Sequence, residues 1–134
     1  MPAVEQIEIR SNKREEMIDI TALVRAAVRK MGFDDGMAWV YVPHTTAAIT
    51  IQENTDPAVK ADMLSLLARL VPKGAGFTHV EGNSDAHIKA SLVGPSEAVP
   101  VHGGKLLLGP WQAIFFCEFD GPRARRVLVK SIRG

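Results

Sequence analysis

Residues 79–87 read His-Val-Glu-Gly-Asn-Ser-Asp-Ala-His, so alternate positions, His79, Glu81, Asn83, Asp85 and His87, carry groups that bind metals or move protons. Two of the chain's four histidines lie in these nine residues. A loop made polar for solubility alone draws on Lys, Ser or Gln, whereas imidazoles with carboxylates are the repertoire of metal ligation and acid/base chemistry. Run straight, the segment would hold His79 and His87 some ~26 Å apart, so both reach one ion only if the chain bends. Gly82 and Asn83 supply that freedom, and a helix starting near Ser84 shortens the span further.

His44 is the third candidate ligand. It follows Pro43, where an apolar strand ends, and its neighbours Thr45 and Thr46 offer hydroxyls and backbone amides to a substrate. Catalytic zinc takes three protein ligands and a water, so His44, His79 and His87 make a chemically reasonable set, with Glu81 or Asp85 moving the proton. The blander account has Glu81 solvating a loop and Asp85 favouring a helix N-terminus, and Asp85 can do both. His102 has no acidic neighbour in sequence and is left out of the set. A second constellation, Glu118, Asp120, Arg123, Arg125 and Arg126, surrounds an Asp-Gly-Pro turn. It suits phosphate recognition, with Arg123 and Arg126 as the binding pair, or else it is a hairpin whose arginines pair with Glu118 or face water. No Walker or dinucleotide-binding glycine pattern occurs.

These residues need elements to position them. Alternation over Val4–Arg10 predicts a strand, and Glu16–Ile20 a second. Thr21 is the expected N-cap of a helix through Met31, ended by Gly32. Met37–Val42 and Ala47–Ile51 read as strands, and Asp56-Pro57 opens an amphipathic helix over Ala58–Val71. Asn83 or Ser84 caps a helix closed by Gly94. Ala98–Val101, Lys105–Leu108, Trp111–Phe119 and Arg126–Ile132 read as strands joined by tight turns, hence antiparallel. Trp111 is expected in the core. The fold class is α+β: an antiparallel, sandwich-like sheet packed with two or three helices, in one domain over residues 1–134.

Composition excludes several classes. A net charge of +1 gives a nucleic-acid partner no global support, and 46% hydrophobic with 23% charged residues is ordinary for a globular chain. Cys117, the single cysteine, precludes an internal disulfide and reads as a buried thiol. No basic-then-apolar leader opens the chain and no run of about 18 apolar residues occurs, so a cytoplasmic protein without membrane association is expected.

Taken in order, His44-Thr45-Thr46-Ala47-Ala48, Glu53-Asn54 with Asp56-Pro57, Gly82-Asn83-Ser84-Asp85-Ala86-His87, Gly94-Pro95-Ser96, Gly109-Pro110-Trp111-Gln112 and Glu118-Phe119-Asp120-Gly121-Pro122-Arg123 resemble the YjbQ-like family, also called the secondary thiamine-phosphate synthase family. The resemblance spans nearly the whole chain. It departs at Ser84, where alanine is more usual, and at Pro110, where threonine is usual, and neither change removes a histidine or a carboxylate. It implies an α+β, sandwich-like subunit in a homotrimer, with clustered histidines near a subunit interface. It also implies a reaction joining hydroxymethylpyrimidine diphosphate to a thiazole phosphate with loss of pyrophosphate. That reaction calls for a divalent cation and Arg or Lys at the leaving diphosphate. A histidine-rich site suits zinc better than magnesium, which would come with the diphosphate. Two alternatives follow: metal-dependent hydrolysis of a small phosphorylated or amide-containing metabolite, and a trimer that binds ligand or metal without turnover.

Overall fold

The computed structural model describes residues 4–74, 76–77 and 82–134. In chain order the elements are β1 (Val4–Arg10), β2 (Glu16–Asp19), α1 (Thr21–Met31), β3 (Gly36–Tyr41), β4 (Ala47–Glu53), α2 (Pro57–Leu70), α3 (Ser84–Val93), β5 (Ser96–His102), β6 (Lys105–Leu106), β7 (Gln112–Glu118) and β8 (Ala124–Arg133). The strands form two antiparallel sheets, ordered β1-β8-β3-β5-β6 and β2-β7-β4. The expected α+β architecture is therefore present, as two sheets with three helices.

Side-chain alternation sends every second residue of the five-stranded sheet inward: Ile7 and Ile9, Ala38 and Val40, Val99 and Val101, Val127 and Val129. They meet Ala47, Ile49, Ile114 and Phe116 of the three-stranded sheet, and Val24, Ala27, Val28 and Met31 of α1 join the same core. The opposite face of the smaller sheet, with Met17, Ala48, Phe115 and Cys117, packs on Ala86 and Ala90 of α3 and on Met63, Leu64 and Leu67 of α2. Strand β7 is thus covered on both sides, which is why Ala113–Cys117 is apolar without alternation. At about 1.5–3 kcal/mol for each fully buried large side chain, Ile114, Phe115 and Phe116 place this strand among the main sources of stability.

The helices differ in how they are held. Thr21 is not the N-cap of α1: Ile20 occupies that position, and the Thr21 amide donates to Asp19 Oδ1 at 2.9 Å, so the capping acceptor comes from the residue two earlier. The Thr21 hydroxyl instead accepts from the buried Ile114 amide at 2.9 Å, tying the helix to β7. Asp56 caps α2 through Ala58 N, with Pro57 in the first turn as expected, yet α2 has no buried residue. Gly36 opens β3 at φ +139, where a Cβ would lie 2.0 Å from Ile132 O of β8, so the strands meet this closely only at a glycine. No helix among the described residues is long and apolar enough to cross a membrane.

Candidate functional site

The chain passes between the two sheets from β3 to β4 and from β7 to β8, and both crossings lie at one end of the sandwich. Phe119 N donates to Thr46 O at 3.1 Å and joins the two crossings, while Val42 N to Pro95 O at 2.8 Å and Ile49 N to Gly94 O at 3.1 Å fasten the first of them to the link between α3 and β5. Between them opens a cavity of about 610 Å³. The β3–β4 crossing supplies His44, Thr45 and Thr46, α3 supplies Asn83 and His87, and the β7–β8 crossing supplies Asp120, Arg123 and Arg125. Residues 43 apart in sequence, His44 and His87, therefore share one wall of polar groups.

The β7–β8 turn is pinned from behind. A Cβ on Gly121 would stand 2.3 Å from Lys13 O and 2.6 Å from Ser11 Oγ, so only glycine lets the turn lie against the β1–β2 connection. The Ser11 hydroxyl donates to Glu118 Oε1 at 2.6 Å and accepts from Arg123 N at 3.0 Å. Glu118 is fully buried, and burial alone, the largest influence, would raise its pKa. The Arg125 guanidinium, the Ser11 hydroxyl and the Asp120 amide outweigh it and hold the carboxyl below its ordinary range. Arg125 donates to Glu118 through Nε at 2.8 Å and also through Nη2, which reaches Thr46 Oγ1 at 2.8 Å as well. Arg123 is more exposed, with Nε on Asp120 O at 2.8 Å and Nη2 on Asp120 Oδ2 at 2.9 Å.

Asn83 precedes α3 without capping it by its side chain. Its Nδ2 donates to Asp120 Oδ2 at 2.8 Å, which fixes the amide's orientation, since the reverse would set two acceptors against each other. Among the described residues, Asn83 Oδ1 is the one buried side-chain polar atom with no hydrogen-bond partner. An acceptor left in that state at a cavity calls for an N–H, an O–H or a cation from elsewhere.

His44 Nε2 accepts from the Arg126 backbone amide at 3.1 Å. Burial first, then the charges of Arg125 and Arg126, hold this imidazole below its ordinary value of 6.5, so it is neutral at pH 7. With Nε2 accepting, the proton sits on Nδ1. His44 is thus arranged as a hydrogen-bond donor, and ligating a metal would require it to give up the Arg126 amide.

Of the residues the sequence nominates, His44, Thr45, Thr46, Asn83, His87 and Arg123 line the cavity. His79 and Glu81 lie outside the described residues. Asp85 is not among the lining residues. It is buried beneath α3, where Arg14 Nη1 and Nη2 donate at 3.1 and 3.0 Å and Lys89 Nζ at 3.1 Å. Burial, the largest influence, would raise its pKa, but Arg14 and Lys89 hold it below the ordinary range, a poor state for a group that takes up protons near neutrality. Arg126, exposed on β8, lines a neighbouring hollow beside His44 and not this cavity, whereas the buried Arg125 lines both. Strand alternation could have found this, because Arg125 shares its parity with Val127 and Val129, both buried. Trp111 is 67% exposed instead of buried, because Gln112 N closes a turn on Gly109 O and β7 begins one residue later than expected. His102 does have an acidic partner, Asp35, 67 residues away in sequence. Among the described residues, no three His, Cys, Asp or Glu side chains are grouped to hold an ion.

A two-sheet α+β domain with histidines and arginines gathered where the chain crosses between sheets is the class that fold and site define. The chain belongs to the UPF0047 protein YjbQ-like family, which matches residues 5–134. It is 57% identical over 125 residues to a UPF0047 protein of Methanocaldococcus jannaschii, covering 93% of this chain and 91% of that one. It is 50% identical over 127 residues to the UPF0047 protein YugU of Bacillus subtilis, covering 94% and 96%. Among solved structures, an uncharacterized YjbQ/UPF0047 protein of Clostridium acetobutylicum matches with a TM-score of 0.93 at 52% identity, over 96% of this chain and 99% of that one.

Proposed function

We propose that the chain is an enzyme acting on a small phosphorylated substrate, and that its reaction is the formation of thiamine phosphate from hydroxymethylpyrimidine diphosphate and a thiazole phosphate. The observation that carries this reading is the shared cavity, where a neutral His44 presents a donor beside Arg123 and Arg125. Arg123 is paired with Asp120 and Arg125 with Glu118, so an anion would be held by the remaining Nη1 groups of the two guanidiniums together with the imidazole N–H. In the reaction the thiazole nitrogen forms a bond to the pyrimidine methylene carbon, and the carbon–oxygen bond to the diphosphate breaks, its electron pair leaving with pyrophosphate. The thiazole nitrogen becomes quaternary and loses no proton. The protein's task is therefore to stabilise the departing oxygens, which Arg123, Arg125 and the His44 donor suit, while Thr45, Thr46 and Asn83 orient the substrate.

The described residues fit a resident metal ion poorly, because His44 is engaged as an acceptor at Nε2 and arginines stand around it. No step above depends on one, and magnesium would arrive with the diphosphate. A second reading, metal-assisted hydrolysis with zinc on His44, His79 and His87, draws on Asn83 Oδ1, an acceptor without a partner at the same cavity. A homotrimer belongs to the proposal through the family resemblance, and the exposed Met37, Trp39 and Ile132 on the outer face of the larger sheet support it.

The test incubates purified chain with both precursors and magnesium, manganese or zinc, and follows thiamine phosphate by chromatography. Product is expected, and Arg123→Ala should weaken inorganic diphosphate binding by about ten- to a hundred-fold. Absence of product with every metal ends the synthase reading. A stoichiometric zinc lost on His87→Ala would favour the hydrolase. Tight ligand binding without turnover would leave a non-enzymatic binder.

A further inference from the structure

Asp120 stands at the cavity without a part in the reaction above. The turn Asp120-Gly121-Pro122-Arg123 folds Arg123 back onto it, so that Nη2 donates to Oδ2 at 2.9 Å while Nε holds the backbone oxygen at 2.8 Å. Asn83 Nδ2, just before α3, donates to the same Oδ2 at 2.8 Å. Both donors fall on one oxygen, and Oδ1 has no hydrogen bond among the described residues.

The other buried carboxylates nearby use both of their oxygens. Glu118 accepts from Ser11 and Arg125 Nε at Oε1, and from the Asp120 amide and Arg125 Nη2 at Oε2. Asp85 accepts from Arg14 at Oδ1, and from Arg14 and Lys89 at Oδ2. Asp120 differs from both: Oδ2 fixes the carboxylate, and Oδ1 is left as an acceptor on a side chain that keeps 16% exposure and lines the cavity. The neighbouring Asn83 Oδ1, buried and without a partner, adds a partial negative charge there.

Charge then limits what can enter. Arg123 is matched by Asp120 and Arg125 by Glu118, so the cavity wall carries no surplus of positive charge from its arginines. A bare anion on the free Nη1 groups would share the space with Asp120 Oδ1, and like charges repel. An anion that brings its own N–H removes that conflict, because the hydrogen goes to Oδ1 and the anionic end to the arginines.

We propose that Asp120 is a specificity-determining residue, whose Oδ1 accepts a hydrogen bond from the exocyclic amino group of hydroxymethylpyrimidine. The identity of that ligand rests on the synthase reading. With the amino group on Asp120 and the diphosphate on Arg123 and Arg125, the bonded pair Asp120–Arg123 orients both ends of one substrate. An analogue without the N–H is rejected because it leaves the acceptor unpaired.

The test measures binding to the intact chain by calorimetry, in the presence of magnesium. Its three probes are inorganic diphosphate, hydroxymethylpyrimidine diphosphate, and the analogue of the latter with methyl in place of the amino group. The amino compound is expected to bind about ten- to a hundred-fold more tightly than the methyl analogue. In Asp120→Asn the side-chain oxygen can take both donors now on Oδ2, which turns an NH2 group toward the cavity. The preference for the amino compound should then be lost or reversed, while inorganic diphosphate binds more tightly because a negative charge has gone. A carboxylate that only braced Arg123 would leave the ratio of the two pyrimidine compounds unmoved. Equal affinity of the unmodified chain for those two compounds, or binding of neither, overturns the inference and needs no variant to fold. If inorganic diphosphate still binds in that case, the phosphate-site reading survives. A preference that persists in Asp120→Asn also overturns the inference, and no saturable binding of any probe overturns it together with the synthase reading.

Discussion

Two buried charge clusters, alike in composition, occupy different settings in this molecule. Beneath α3, Asp85 and Lys89 are each 1% exposed at the side chain and are closed in by Arg14 and Glu15. At the end of the sandwich, Glu118 and Arg125 are as deeply buried at 0% and 3%, but Arg125 also reaches Thr46 and lines a cavity. Enclosure on every side makes the first a clamp holding α3 on the β1–β2 connection. One open side makes the second a charged wall, held rigid from behind by Ser11 and the Asp120 amide. Composition does not separate a clamp from a binding wall; access does.

The most disruptive way to break this comparison is Glu118→Gln. It leaves Arg125 buried without its counter-charge, and a loss of about 3–5 kcal/mol in chemical denaturation is expected, together with loss of diphosphate binding. Lys89→Met should cost less, about 1–3 kcal/mol, since Asp85 keeps both bonds from Arg14 and the half-exposed Glu15 regains water. Diphosphate affinity should be unaltered, and a variant that lost it would show that the clamp also sets the cavity. Acid sharpens the same contrast. Asp85 has a folded pKa below its unfolded one, so its contribution is present above the ordinary carboxylate range and is lost as pH falls through that range toward the folded value. Asp85→Asn should therefore flatten the acid side of the stability profile measured by denaturant titration. The smallest effect belongs to Cys117, whose thiol burial pushes up to about 12. The native chain should resist alkylation at pH 8 and react at once in denaturant, as mass spectrometry would record.

Much of the fold was legible because its signals are local. Alternation marked the strands, Asp56-Pro57 the start of α2, and Gly32 and Gly94 the helix ends. The exchange of Thr21 for Asp19 as capping acceptor was hidden, because Thr21 is drawn to an amide 93 residues away. The candidate site was partly legible. Residue chemistry identified His44, Asn83, His87 and Arg123, and the ordered motifs identified the family. The fate of Asp85 was not readable, since Arg14 lies 71 residues from it and no local pattern links them. On β8 the parity marked by the buried Val127 and Val129 sets Arg125 on the inward face and Arg126 on the outer one.

Helix α2 has no fully buried residue and meets the smaller sheet through the partly buried Met63, Leu64 and Leu67. The core between the two sheets holds no residue of α2, so under thermal or mechanical stress this helix is the outer piece expected to yield first, at the cost of baring Phe115 and Cys117.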